Sequence, residues 1–597
     1  MRGPPIPRTP TVGWLAIPPS LYLLAFFVLP IGLLIVQSLF LPHFSLEKYE
    51  ALFTVSSFSR GLTNSLEIAA ITAALTAVLG SLVLVAVFRA GRRMRAGLLA
   101  LMLLPFAANE LVRIVSWVIF LSPAGPVNGL AQLLPWVDGP VSLVKNRAGV
   151  LIGLVHVLLP FFVLTAYGAL RSIDTRLLRA AESLGARPLT AFLTVFVPLA
   201  MPGVTAATLL VFVLALGYYA TPAALGGPGD TVLPALIATR VRDTVDWGQA
   251  AALGVMLLVV TLVALSLLAR VGGLRVLYAN TGSGGGGGRV SHAWHRLASS
   301  RYAMRLSDTF AEAPILRRLL RRLHTGIVVA VVAYLMTPVL VAIPASFTSG
   351  RILRFPPDGL SLRWYEDFFS RASWTEGTTM SLQVGIAVAG LTLALGISAA
   401  IGLVRGSGGR SQLLSFYLMP LIMPSIVTAL AMFLLFNKLG LAYTPAGIAL
   451  GHAVFALPYT VLVLVAAFQS FDWQLDRAAQ ASGARWWSRF RDVMFPLLRP
   501  AILTGLLFAF VVSFTELVFA LFMGSLSVTT LPVTMWAGIR YEVSPTTAAA
   551  ASIIVSGIAL LFLGVLAARG ATRLRGRPAA ASGIGVSPDG PPADELP

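Results

Sequence analysis

Long apolar stretches separated by short charged segments dominate this 597-residue chain. Read by position, they fall at 15–40, 64–88, 97–121, 149–170, 202–226 and 248–269, and again at 326–346, 380–404, 413–436, 446–468, 501–523 and 549–568. A run of about 20 apolar residues suffices for a helix to cross a hydrocarbon core of about 30 Å. The runs are continuous and rich in Leu, Val and Ala, whereas membrane strands would alternate over about ten residues. The pattern therefore predicts an all-α, polytopic membrane protein with about 12 transmembrane helices. The first run is longer than the roughly 7–15 apolar residues of a secretory signal and ends in Ser38-Leu39-Phe40, so it is expected to be a retained helix.

The polar positions divide the chain. A segment at 271–324 separates two sets of six spans and holds the glycine run Gly282–Gly288, a flexible coil by composition, and the basic stretch Arg317–Arg322. The expected organisation is a first half at 1–270, a linker at 271–324, a second half at 325–576 and a disordered Pro/Gly/Ala-rich tail at 577–597. Arg89, Arg92, Arg93 and Arg95 follow span two, and Arg171, Arg176, Arg179 and Arg187 follow span four. With twelve spans these segments, the linker and the C-terminal segment share one side. Basic residues concentrate in cytoplasmic loops, so both termini and the linker are expected in the cytoplasm.

The two halves are related. A shift of 298 residues superimposes Arg179-Ala180-Ala181 on Arg477-Ala478-Ala479, Gly185-Ala186-Arg187 on Gly483-Ala484-Arg485, and Pro198-Leu199 on Pro496-Leu497; fourteen of the 31 positions from 172 to 202 are identical. An even number of spans per half gives both halves the same orientation, a parallel repeat with one path between them. Within the repeated segment, Leu177, Ala180, Ala181 and Leu184 recur at helical spacing, Gly185 permits a left-handed stop, and Pro198 and Pro202 mark the start of the next span. Two copies of a polar helix–turn–helix on the cytoplasmic side call for a paired partner there.

This segment resembles the "EAA" signature of permease subunits of ATP-binding-cassette importers: Glu-Ala-Ala, three residues, Gly, nine residues, then aliphatic-x-aliphatic-Pro. The copies read Arg179-Ala180-Ala181, Gly185, Val195, Val197, Pro198 and Arg477-Ala478-Ala479, Gly483, Val493, Phe495, Pro496. Both carry Arg where the family usually has Glu, and the second carries Phe495 at an aliphatic position. Leu104–Asn128, Phe355–Phe369 and Ser513–Gly524 are similar to the two membrane subunits of spermidine/putrescine-type importers. The resemblance implies the type I importer permease fold, with those two subunits fused, and a coupling role for Arg179, Ala180, Ala181, Gly185, Arg477, Ala478, Ala479 and Gly483. It also implies an ATP-binding subunit, in two copies, and a periplasmic substrate-binding protein as partners, and a multi-pass place among the lipids of a bacterial inner membrane.

Composition then narrows the chemistry. The chain is 57% hydrophobic with a net charge of +20; in a membrane protein that charge reflects loop placement and not a nucleic-acid partner. There is no cysteine. No G-x-x-x-x-G-K-[ST] phosphate cradle occurs, and none of the three lysines, Lys48, Lys145 and Lys438, follows a glycine. The expectation is no ATPase site, no bound cofactor and no metal site, with ATP used by the partner subunit. Within spans, Glu110 and Arg113 lie three apart on one helix face, a spacing that also suits mutual neutralisation, and Glu516 has no evident partner. Intramembrane ionisable residues mark substrate pathways by default. With Tyr218, Tyr219 and Trp117, whose rings can attract cations, Glu110 and Glu516 form the candidate pathway. His156 and His452 are expected to hydrogen-bond between helices. The predicted function is import of polyamines or a related small organic cation; ferric iron, thiamine or phosphonate on the same machinery is the alternative, and a secondary transporter is the alternative class.

Overall fold

The computed structural model describes residues 10–40, 43–107, 109–135, 137, 139–171, 173–270, 314–406, 409–525, 527–541 and 544–575. The Gly282–Gly288 coil and the 577–597 tail lie outside the described residues. In the first half ten helices carry the argument: α1 (Gly13–Phe40), α2 (Ser56–Arg89), α3 (Arg92–Ala107), α4 (Glu110–Leu121), α5 (Arg147–Leu170), α6 (Arg176–Ser183), α7 (Val197–Leu216), α8 (Ala220–Leu225), α9 (Leu233–Arg242) and α10 (Trp247–Arg270). The second half repeats them in order: α11 (Pro314–Ala345), α12 (Ala372–Arg405), α13 (Arg410–Leu418), α14 (Ser425–Lys438), α15 (Pro445–Ser470), α16 (Trp473–Ala481), α17 (Phe495–Thr515), α18 (Val518–Met523), α19 (Leu531–Tyr541) and α20 (Pro545–Arg575).

Among the described residues, ten helices are long and apolar enough to cross a membrane, eleven if the bent pair at Arg410–Leu421 and Ser425–Lys438 is one span. The twelfth expected span, 549–568, falls within α20, whose first part, Pro545–Leu561, is apolar. The apolar pattern misplaces several ends. The run at 97–121 is two helices, because Asn109 breaks it and its side chain accepts the Leu111 N–H to start α4. The run at 413–436 turns by 91° at Met423-Pro424, where Pro424 has no N–H to continue a helix. The runs at 202–226 and 501–523 stop at Leu216 and Thr515, each followed by a non-helical break and a six-residue helix. The basic stretch expected at the linker's end forms the first turns of α11 and runs unbroken into the span.

The repeat extends into hydrogen bonds that identity does not reveal. Asn146 and Thr444, 298 apart, each cap a helix by accepting the N–H of Gly149 and Gly447, at 2.9 and 3.0 Å. Ser65 and Ser381 accept the N–H of Leu233 and Leu531, tying α2 to α9 and α12 to α19. Ser38 meets Tyr49 and Ser346 meets Tyr365, both at 2.6 Å, at the ends of α1 and α11.

The first helix of each half packs on the other half. α1 lies against α12 and α14, and α11 lies against α2 and α4. At the α1–α12 contact the backbones come close at Gly402, where a Cβ would lie 2.8 Å from the Ala16 N. Small residues allow such contacts where lipid supplies no hydrophobic drive. Polar clasps fix both exchanged helices. The Tyr22 hydroxyl donates to the Leu450 carbonyl and the Tyr334 hydroxyl to the Ile152 carbonyl, and these carbonyls are themselves 298 residues apart. Ser116 donates to Pro338 O at 2.9 Å, and His156 lies 3.2 Å from Leu335 O, a helix–helix bond as expected of that histidine.

Candidate functional site

The breaks after α7 and α17 converge where the halves meet. Gly217, in the first, sits so close to Pro424, at the α13–α14 bend, that a Cβ would lie 3.0 Å from the Pro424 Cα. Around this junction is a cavity of about 350 Å³. Asn109, Glu110 and Arg113 of the first half line it together with Tyr218 and Tyr219. From the second half come Pro420–Ser425, Phe455, Tyr459, Thr515 and Glu516.

Four of the five expected pathway residues, Glu110, Tyr218, Tyr219 and Glu516, therefore share one cavity. Trp117 does not line it. It is buried one to two turns further along α4, with its ring centroid 5.2 Å from that of Tyr334 and 5.5 Å from that of His156. Tyr219 is also largely covered, against Trp536 at 5.5 Å. Arg113 and Tyr218 line the cavity together, bringing α4 to the first-half break.

Glu516 is the clearest departure from the sequence expectation. It lies in the break between α17 and α18 in extended conformation, not mid-helix. Its carboxylate accepts the N–H of Phe519 twice, at 3.0 Å, and of Ala520 at 3.2 Å, so it closes the otherwise open first turn of α18. His452 on α15 also approaches, its Nε2 3.4 Å from Glu516 Oε2, while its Nδ1 lies 3.0 Å from Ser513 Oγ. Glu516 thus has partners that the linear pattern, with His452 distant in sequence, did not expose. The cavity's ionisable side chains are two carboxylates, one from each half, and one guanidinium, with His452 beside the second carboxylate.

The repeated polar segments form the second candidate site. Arg179, Ala180 and Ala181 lie on α6, which has no buried residue, and Arg477, Ala478 and Ala479 lie on α16. Gly185 and Gly483 adopt φ of +89° and +80°, the left-handed stop expected of them. The terminal bonds coincide: Ala186 N–H reaches Ala181 O and Ala484 N–H reaches Ala479 O, each at 3.0 Å. Asp174 and Asp472 accept the N–H of Arg176 and Gln474 at the opposite ends. Beyond each glycine, Phe192–Phe196 and Arg489–Met494 form wide turns leading into α7 and α17.

The two copies are seated differently. Asp476 of α16 is buried and pairs with Arg489 at 3.1 Å and Arg405 at 3.8 Å, and Arg405 also stacks 4.8 Å over the Trp473 ring. The residue 298 positions before Asp476 is Leu178, which packs on the apolar cluster of Leu170, Phe196 and Ala200. Neither seat was evident from the motif alone, since both lie outside its defining positions. Leu184, beside Gly185, is 90% exposed, and Trp486 and Trp487, after Gly483, are about 60% exposed.

The family model described as "Binding-protein-dependent transport system inner membrane component" matches twice, at residues 78–272 and 392–574. The chain is 32% identical to the spermidine/putrescine transport system permease protein PotB of Escherichia coli (strain K12) over 257 residues, 42% of this chain and 90% of that protein. It is 31% identical to PotB of Haemophilus influenzae over 251 residues, 40% of this chain and 87% of that one. It is 30% identical to the putrescine transport system permease protein PotI of Escherichia coli (strain K12) over 239 residues, 38% of this chain and 84% of that one.

Proposed function

Because the chain belongs to the family of binding-protein-dependent transport system inner membrane components and carries the family's unit twice, we propose that it forms the whole translocation pathway of an ATP-driven importer for polyamines or a related small organic cation. The family implies ATP-binding and substrate-binding partners. Here two ATP-binding subunits dock on the α6 and α16 elements, a periplasmic binding protein delivers the substrate, and both termini face the cytoplasm. The chain's own role is permeation, with ATP hydrolysed by the partner subunits.

The observation that carries the cation reading is the cavity between the halves, where Glu110 and Glu516 from opposite halves face one guanidinium. A carboxylate in a low-dielectric site is costly when empty and attracts a cation strongly. The tyrosine and phenylalanine rings at Tyr218, Tyr459 and Phe455 add faces for cation–π contact, each worth about 0.5–2 kcal/mol. The names of the similar permeases PotB and PotI support the same substrate class.

The test is uptake by the chain reconstituted with its ATP-binding and binding-protein partners. Radiolabelled putrescine or spermidine should enter proteoliposomes only with ATP. Entry of ferric iron, thiamine or a phosphonate in place of polyamine would overturn the substrate reading and keep the importer reading; ATP-independent entry would overturn the importer reading in favour of a secondary transporter.

A further inference from the structure

The two exchanged first helices begin in different electrostatic settings. His324 on α11 lies 2.9 Å from Leu82 O of α2, which sets the level of the two helices. At about 1.5 Å per residue, Arg321 and Arg318 lie about 4.5 and 9 Å beyond that level on α11, and the end of α2 at Arg89 lies about 10.5 Å beyond it. Arg92 and Arg93 open α3, which packs on α11 as well. Arg95 turns back to bond Val87 O, Phe88 O and Ala90 O, which fixes the corner between α2 and α3. Arg92, Arg93, Arg318, Arg321 and Arg322 are exposed around this corner. No Asp or Glu occurs from Leu82 to Ala107 or from Pro314 to Ala345.

The apolar residues interleaved with these arginines indicate what covers them. Ile315, Leu319 and Leu323 are 81%, 60% and 57% exposed. Guanidinium groups and bare aliphatic side chains on the same turns suit a surface that presents phosphate and hydrocarbon together. A soluble polyanion or an acidic protein face would leave the leucines in water. The counterpart contact is less basic among the described residues: Pro10–Ala16, which opens the α1 region against α12, has no charged residue, Arg405 at the end of α12 pairs with Asp476, and Arg410 at the start of α13 is the one exposed arginine there, against five at the first corner.

We propose that the α2–α3–α11 corner is a binding site for an anionic phospholipid headgroup, a site that the pseudo-equivalent α12–α13–α1 corner does not duplicate. The occupant is a lipid, with its phosphate among Arg92, Arg93, Arg318, Arg321 and Arg322 and its chains against the exposed aliphatic residues. Each arginine near an anionic surface contributes roughly fivefold to local enrichment, so the selectivity is measurable even with screening.

The full chain has no cysteine, so single labels are clean. A fluorophore on Leu320→Cys, and separately on Ile17→Cys at the start of α1, is quenched in liposomes by brominated phosphatidylglycerol or brominated phosphatidylcholine. At Leu320 the anionic lipid should quench at least about threefold more effectively, against near-equal quenching at Ile17. Arg318→Gln/Arg321→Gln/Arg322→Gln in the Leu320→Cys background should remove the preference. Equal preference at the two sites overturns the proposal, and this comparison needs no arginine variant to fold. Loss of the preference in millimolar inorganic phosphate would make the site one for free phosphate, and its loss on adding the ATP-binding subunit would make the occupant a protein; either result overturns the lipid assignment.

Discussion

At the scale of single residues, Glu516 holds two tasks that one variant can separate. Its carboxylate caps α18 and, on the proposed function, presents charge to the cavity. Glu516→Gln keeps an oxygen to accept a backbone N–H and removes the charge. Polyamine uptake should fall about tenfold, equivalent to about 1.4 kcal/mol, with normal membrane levels; unchanged uptake removes Glu516 from the pathway. Glu516→Ala should in addition destabilise α18 by about 1 kcal/mol through loss of the cap, read as a lower melting temperature. The sequence made this residue visible as an intramembrane carboxylate. It hid the break at Glu516 because the apolar run continues straight through it, and it hid His452 because their proximity comes from packing α15 against α17. Trp117 shows the converse: the right residue type on the right helix, but beyond the cavity, a rotation and depth that composition does not encode.

At the scale of elements, the repeated polar segments are the most legible part of the chain, since a motif of fixed spacing specifies helix, glycine stop and next helix without tertiary information. Gly185 and Gly483 bear this out in their positive φ. A Cβ at either position would find open space, so the penalty for substitution is conformational, about 1–2 kcal/mol for a residue forced left-handed. Gly185→Val and Gly483→Val should each leave insertion intact and lower substrate-stimulated ATP hydrolysis by the partner; normal stimulation in both would refute the docking assignment. The seat of α16 was not legible, because Asp476 looks like any exposed helical acid until Arg405 and Arg489 are brought to it. Removing one partner of a buried ion pair costs about 3–5 kcal/mol, whereas replacing the pair by apolar residues is often neutral. Asp476→Asn should therefore lower the melting temperature more than Asp476→Leu/Arg489→Ala, which copies the Leu178 and Ala191 seat of the first repeat. The reverse order would contradict the account of the seat.

At the scale of the whole molecule, the apolar runs and the 298-residue shift make the all-α, two-fold organisation readable, while the exchange of first helices is not, because a helix's partner is chosen by tertiary contacts such as Gly402 against Ala16. That exchange matters for what a fusion accomplishes. With α1 held by Leu450 and α11 by Ile152, each half is incomplete without the other, and one chain supplies both walls of the cavity and both of the proposed docking elements. The most direct measurement of this claim is the native mass of the assembled importer after purification in detergent or nanodiscs. The account predicts one copy of this 63.3 kDa chain with two ATP-binding subunits. Two copies of this chain with two ATP-binding subunits would contradict it, because the pathway would then form between chains and not within one.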